Sequence, residues 1–123
     1  MSFLNDKQKE SITSFVKFVC SELGIKKCPQ VIVQNGRGEL KTTASYNYTN
    51  ELKVVRINGK NRATVDVMRS IAHELVHHKQ WEDGRLVGPK QPDIGGEIED
   101  EANAKAGQFI KMYSKKDSSI YEE

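Results

Sequence analysis

Residues 64–81 constrain this chain more than any other stretch. Val65, Met68, Ile71, Ala72, Leu75 and Val76 recur at helical spacing and cover a broad arc, so most of this helix has to pack inside the protein. The same stretch reads His73-Glu74-Leu75-Val76-His77. Two imidazoles and a carboxylate beside an apolar arc need polar partners, because burying such groups unpaired is costly. The spacing supplies an answer. At about 100° per residue, positions i and i+4 lie about 40° apart and one turn up, so both imidazoles reach one ion. Glu74 lies about 100° round from His73, poorly placed to bind that ion but well placed to hold a water beside it. Two neutral nitrogens, one further protein ligand and an open position are what a catalytic zinc ion, Zn2+, requires.

The third ligand has to come from another element, and residues 97–101 hold the richest supply of carboxylates: Glu97, Glu99, Asp100 and Glu101. Acidic residues at a helix start are favoured by the helix dipole, which accounts for some of them without any ion. Rotation separates them. The stripe Ile98, Ala102, Ala106, Phe109, Ile110 and Tyr113 marks the packed face of a helix over 97–113. Glu99 falls about 45° from the centre of that stripe, Glu101 about 115° and Glu97 about 155°. Glu99 is the expected ligand, and Glu101 its main competitor.

The rest of the chain frames these two helices. Ile12, Phe15, Val16, Val19 and Leu23 predict a helix over 4–23, capped by Asn5 or Asp6 and ended by Gly24. Short alternating or β-branched runs at 31–33, 40–48 and 52–57 predict strands. Asn35-Gly36-Arg37-Gly38, a break at Thr49-Asn50-Glu51, and Asn58-Gly59 punctuate them. Read in order, these make a three-stranded antiparallel meander with one edge open, and 42–48 is the segment expected to pair with an extended peptide. Residues 82–96 form a loop rich in Gly and Pro, and 114–123 a polar, mobile tail. Cys20 and Cys28 are too few and too far apart for a thiolate metal site, and are expected as free thiols.

At 123 residues the chain is expected to form one domain over 1–123. With 37 % hydrophobic residues its core is thin, and a bound metal would help to hold it. No run approaches the ~18 apolar residues of a membrane span, and the N-terminus turns polar too early for a signal peptide. A cytoplasmic location without membrane association is therefore expected. The net charge of +2 argues against a nucleic-acid partner.

His73-Glu74-x-x-His77 followed by Glu99-x-x-Ala102-Asn103-x-x-Ala106 resembles the gluzincin metallopeptidases. The match is closest to small minigluzincin and ImmA/IrrE-like domains, phage-encoded ones among them. The resemblance is sharp over 64–110 and agrees with the rotational choice of Glu99. It implies that Ala102 lets the two helices approach and that Asn103 hydrogen-bonds a ligand histidine. It also implies an α+β, zincin-like minimal metallopeptidase domain. The order would be an N-terminal helix, the three-stranded antiparallel sheet, the H-E-x-x-H helix and a C-terminal glutamate-bearing helix.

The activity so implied is zinc-dependent endopeptidase hydrolysis, a metal-activated water attacking a peptide bond with Glu74 as general base. Tyr46, Tyr48, Tyr113 and His78 are candidates to stabilise the oxyanion. Trp81 reads as a core anchor. The substrate would be a peptide or protein, with an unidentified protein partner supplying specificity that so small a chain has no room to encode. Two alternatives are a zinc-stabilised regulatory or binding module with little peptidase activity, and a SprT-like protease acting on DNA-associated proteins. The second draws on Lys53, Arg56, Lys60 and Arg62 near the sheet-to-helix junction.

Overall fold

Helix dominates the computed structural model, which describes residues 6–34, 44–47, 54–59, 63–85 and 97–116. The elements run α1 (Asp6–Leu23), β1 (Gln30–Gln34), β2 (Ala44–Asn47), β3 (Val54–Asn58), α2 (Thr64–Glu82) and α3 (Glu97–Ser114). The expected turns at 35–38 and 49–51 and the loop at 86–96 lie outside the described residues, as do 117–123 of the expected tail. Residues 114–116 close α3 and form a turn.

Two helices end in the same way. Gly24 takes a left-handed φ of 70° after α1, with Gly24 N–H donating to Ser21 O and Ile25 N–H to Cys20 O. Gly84 repeats this after α2 at φ 79°, with its N–H donating to Trp81 O and Arg85 N–H to Gln80 O. Both are Schellman caps, in which glycine adopts the left-handed conformation and the last carbonyls find donors.

The sheet is not the antiparallel meander predicted above, and with it the zincin-like arrangement built on that meander is overturned. The strand order is β1-β3-β2. β1 pairs with β3 in parallel, Val31 opposite Val55 and Val33 opposite Ile57. β2 pairs with β3 antiparallel, Ser45 opposite Arg56. A meander would put β2 in the middle; the chain instead gives that place to β3. Val55 and Ile57 of β3 are fully buried and Arg56 between them is exposed, so β3 carries the firmest inward face. A strand buried in this way gains most from neighbours on both sides, and alternation alone does not encode which neighbours those are.

α2 is the hub of the structure, packing against α1, α3, β2 and β3. Val67, Met68, Ile71, Ala72, Leu75 and Val76 are all buried, and at about 25 cal/mol per Å2 this burial is the main source of stability. Ala102 and Ala106 are buried on α3, which lets that helix lie close to α2. At the other end of α3, Phe109 and Tyr113 meet Phe15 and Phe18 of α1. The Phe15 and Tyr113 rings cross edge-to-face at 5.3 Å, a favoured aromatic geometry.

Cys20 and Cys28 form a disulfide, against the expectation of free thiols. It ties the last turn of α1 to the segment before β1. They lie eight positions apart along the chain, but the Schellman turn at Gly24 reverses the chain between them. Their Cα atoms then lie 6.1 Å apart, within bonding range.

Candidate metal centre

α2 presents His73 and His77 one turn apart, on the side that faces α3. α3 brings Glu99 to them from its first turn. Glu99 spans the pair: Oε2 lies 2.6 Å from His77 Nε2, and Oε1 lies 3.3 Å from His73 Nε2. The two Nε2 atoms are 3.2 Å apart, with the rings nearly perpendicular. The three ligand atoms all fall within 4.8 Å of one another, so this cluster can hold a metal ion. All three side chains keep 13 to 25 % of their surface exposed, so the cluster is open to solvent on one side.

The donor set tests that fit. The bare nitrogen of a neutral imidazole and the oxygens of an ionised carboxylate only accept, so atoms of this kind converging on one point need a proton or a cation between them. A divalent cation satisfies all three together, and two nitrogens with one oxygen suit zinc. Burial, with His77 alongside, holds the His73 imidazole below its ordinary value of 6.5, against the opposing pull of Glu99 and Asn103. An imidazole kept neutral in this way is in the state a metal needs.

Glu74 is buried, and its Oε2 lies 3.9 Å from His73 Nε2. Its carboxylate is therefore adjacent to the cluster without belonging to it. Asn103, one turn beyond Glu99, lies close enough to the His73 imidazole to raise its pKa against the effect of burial. Glu101, the competitor for the third position, is engaged elsewhere. Its Oε1 accepts from Gln80 Nε2 at 2.8 Å and from Arg85 at 2.7 Å. The Gln80 bond, with Arg85 and Lys105 adding to it, keeps the Glu101 carboxyl below its usual range despite some burial.

The expected oxyanion candidates disperse. His78 is buried away from the cluster, its Nε2 2.8 Å from the Lys27 carbonyl and 3.3 Å from Glu82 Oε2. Tyr113 belongs to the aromatic core. The side chain of Tyr46 and the whole of Tyr48 lie outside the described residues. Trp81 stacks obliquely against His78. Of the basic group, Arg56 is exposed on β3, and Lys53, Lys60 and Arg62 lie outside the described residues.

One residue of the site was missed in the sequence. Gln80 is 1 % exposed, and its Oε1 lies 2.7 Å from His77 Nδ1. The available signal was a polar residue three positions after His77 on a helix with little solvent-facing surface. Among the described residues no helix is long and apolar enough to cross a membrane. No protein-family model matches the chain, and neither a curated protein nor a solved structure matches it.

Proposed function

We propose that this chain is a zinc-dependent metalloendopeptidase of the gluzincin type, with His73, His77 and Glu99 holding the ion and Glu74 as general base. The observation that carries the reading is the convergence of three donor atoms within 4.8 Å, with a buried carboxylate beside them and outside the set. A site with a purely structural role has no use for that extra carboxylate or for an open position.

When bound, zinc supplies Lewis-acid polarisation of a water and of a substrate carbonyl. The chain's own groups do the rest. Glu74 accepts the proton of the attacking water and returns it to the departing amine nitrogen. Gln80 holds His77 at Nδ1, the nitrogen turned away from the ion, and Asn103 would steady His73, so that the rings keep their aim during a cycle. β2 lies at the edge of the sheet beside α2, where an extended peptide could pair along it. The substrate class is accordingly a peptide or an unfolded protein segment.

Cytoplasmic action belongs to this reading, with one condition. A reducing cytosol would open the Cys20–Cys28 bond. The segment it closes is also held by the cap at Gly24 and by Glu82, which accepts from Lys26 and Lys27 N–H. A phage origin rests on the family resemblance alone.

The test is a digest of a peptide library with wild-type protein and Glu74→Gln, each assayed for bound metal. The variant should keep its zinc and lose about 10²–10⁴-fold in cleavage. Undiminished cleavage by the variant would overturn the mechanism. A wild type that binds one zinc and cleaves nothing would make the chain a metal-stabilised binding module instead.

A further inference from the structure

Gln80 does more than fill a buried position on α2. Its amide nitrogen lies 3.1 Å from the Ile98 carbonyl and 2.8 Å from Glu101 Oε1. A backbone carbonyl only accepts, so the Gln80 NH₂ has to face α3. The amide oxygen must then face the other way, where it meets His77 Nδ1 at 2.7 Å. An amide oxygen also only accepts, so His77 Nδ1 must carry a proton and donate it. The polarity of the whole relay is set by a group that cannot change, the Ile98 carbonyl. Arg85, donating to the same Glu101 oxygen at 2.7 Å, fixes the far end.

Two consequences meet at Glu99. With Nδ1–H committed to Gln80, Nε2 is the nitrogen of His77 that faces the point where His73 and Glu99 converge. Without metal it meets Glu99 Oε2 at 2.6 Å, a distance that needs a proton between the two, and a metal ion takes that proton's place. The α3 residues that Gln80 holds, Ile98 and Glu101, flank Glu99 in the chain, so the same amide pins the turn that carries the carboxylate ligand. The ordinary preference of a free imidazole gives no such assurance, because either nitrogen can carry the proton and the ring can turn over.

We propose that Gln80 is the positioning residue of the metal centre: it fixes the Nδ1–H form of His77 and, through Ile98 and Glu101, the placement of Glu99. This deepens the metallopeptidase reading and rests on it for the identity of the ion. The hydrogen-bond relay itself is a property of the metal-free chain. Gln80 supplies none of the converging ligand atoms.

The experiment uses the full chain labelled with 15N at histidine. Two-bond 1H–15N correlation spectra are recorded first without metal and then with zinc. His77 Nδ1 should carry a proton in both, with only the Nε2 signal moving when zinc is added. In Q80M, close in volume but with neither donor nor acceptor, that Nδ1–H signature should be lost. Zinc affinity, read by chelator competition, should fall about 10–100-fold, as for other partners of ligand histidines. Q80E keeps an acceptor for Nδ1–H but loses the donor to α3. It should retain the signature and bind zinc more tightly than Q80M, though less tightly than wild type.

A wild-type His77 protonated on Nε2 alone overturns the proposal, and needs no variant to fold. So does a folded Q80M with unchanged spectrum and affinity. A chain that shows Nδ1–H on His77 but takes up no zinc supports the relay and defeats the metallopeptidase reading. Zinc uptake and cleavage with His77 protonated on Nε2 alone in the metal-free chain do the reverse.

Discussion

Glu82 sits where helix electrostatics disfavour it, in the last turn of α2, so its removal is a sharp test of what holds that helix end. A carboxylate near a helix C-terminus opposes the dipole. Here the conflict is resolved by the segment that follows α1. Oε1 accepts from Lys26 N–H at 3.0 Å and Oε2 from Lys27 N–H at 3.1 Å, while His78 Nε2 lies 3.3 Å from Oε2. The Glu82 side chain is 8 % exposed. Burial alone would raise its carboxyl, but the two backbone donors, with His78, outweigh that and hold it below the ordinary value of 4.5.

Glu82→Gln keeps one acceptor and turns an NH₂ towards the second N–H, so one charge-assisted bond is lost and two donors oppose each other. Such bonds contribute about 1.5–3 kcal/mol. Both backbone donors belong to exposed residues and recover some water, which places the net cost near 2 kcal/mol. For a chain of 123 residues that corresponds to a fall in Tm of about 8 °C. The pH dependence follows from the depressed pKa. The Glu82 contribution is complete above the ordinary carboxylate range and is lost as pH falls through the lower folded value. Urea unfolding of wild type and variant from pH 7 down to pH 2 should therefore show a gap that closes in acid. A gap below about 0.5 kcal/mol at pH 7, or one that stays constant with pH, would refute the reasoning.

Three further outcomes are expected. Reducing the Cys20–Cys28 bond should cost about 2.5 kcal/mol, the chain-entropy value for so short a loop, read as a lower urea midpoint; an unchanged midpoint would refute that contribution. Because burial keeps His73 neutral below pH 6.5, the metal-free fold binds fewer protons there than the unfolded chain. Its stability should fall as pH drops from 6.5 through the lower folded value, and His73→Phe should flatten that slope in a urea series. Asn103→Ala should weaken zinc binding by about 10–100-fold in a chelator competition while leaving the stability of the metal-free chain within about 0.5 kcal/mol, since Asn103 is exposed.

The helices were legible because their period is local. The helices expected over 4–23, 64–81 and 97–113 match α1, α2 and α3 to within one or two residues, with residues 4 and 5 outside the described residues. The 3.6-residue rotation that singled out Glu99 over Glu101 also describes which carboxylate reaches the histidines. Sheet order was not legible. The apolar runs at 31–33 and 52–57 mark strands, but nothing in either says that Val31 lies opposite Val55 in parallel with β2 displaced to the edge. Strand neighbours are chosen by long-range burial, which turn signals such as Asn35-Gly36 do not report. Cys20 and Cys28 were misread for a related reason: spacing along the chain says little once a left-handed glycine folds it back. Gln80 was passed over because its role depends on α3, eighteen residues away in the case of Ile98.

The proposed activity requires His73, His77 and Glu99 to bind one metal ion together. X-ray absorption at the zinc edge, on protein loaded with one equivalent and dialysed, measures this directly. The prediction is one zinc per chain with two histidine nitrogens at about 2.0–2.1 Å, light-atom oxygen ligands completing the set, and no sulfur. Glu99→Ala should lose most of that zinc. Zinc that dialyses away from the wild type, or a spectrum without histidine scattering, would contradict the account.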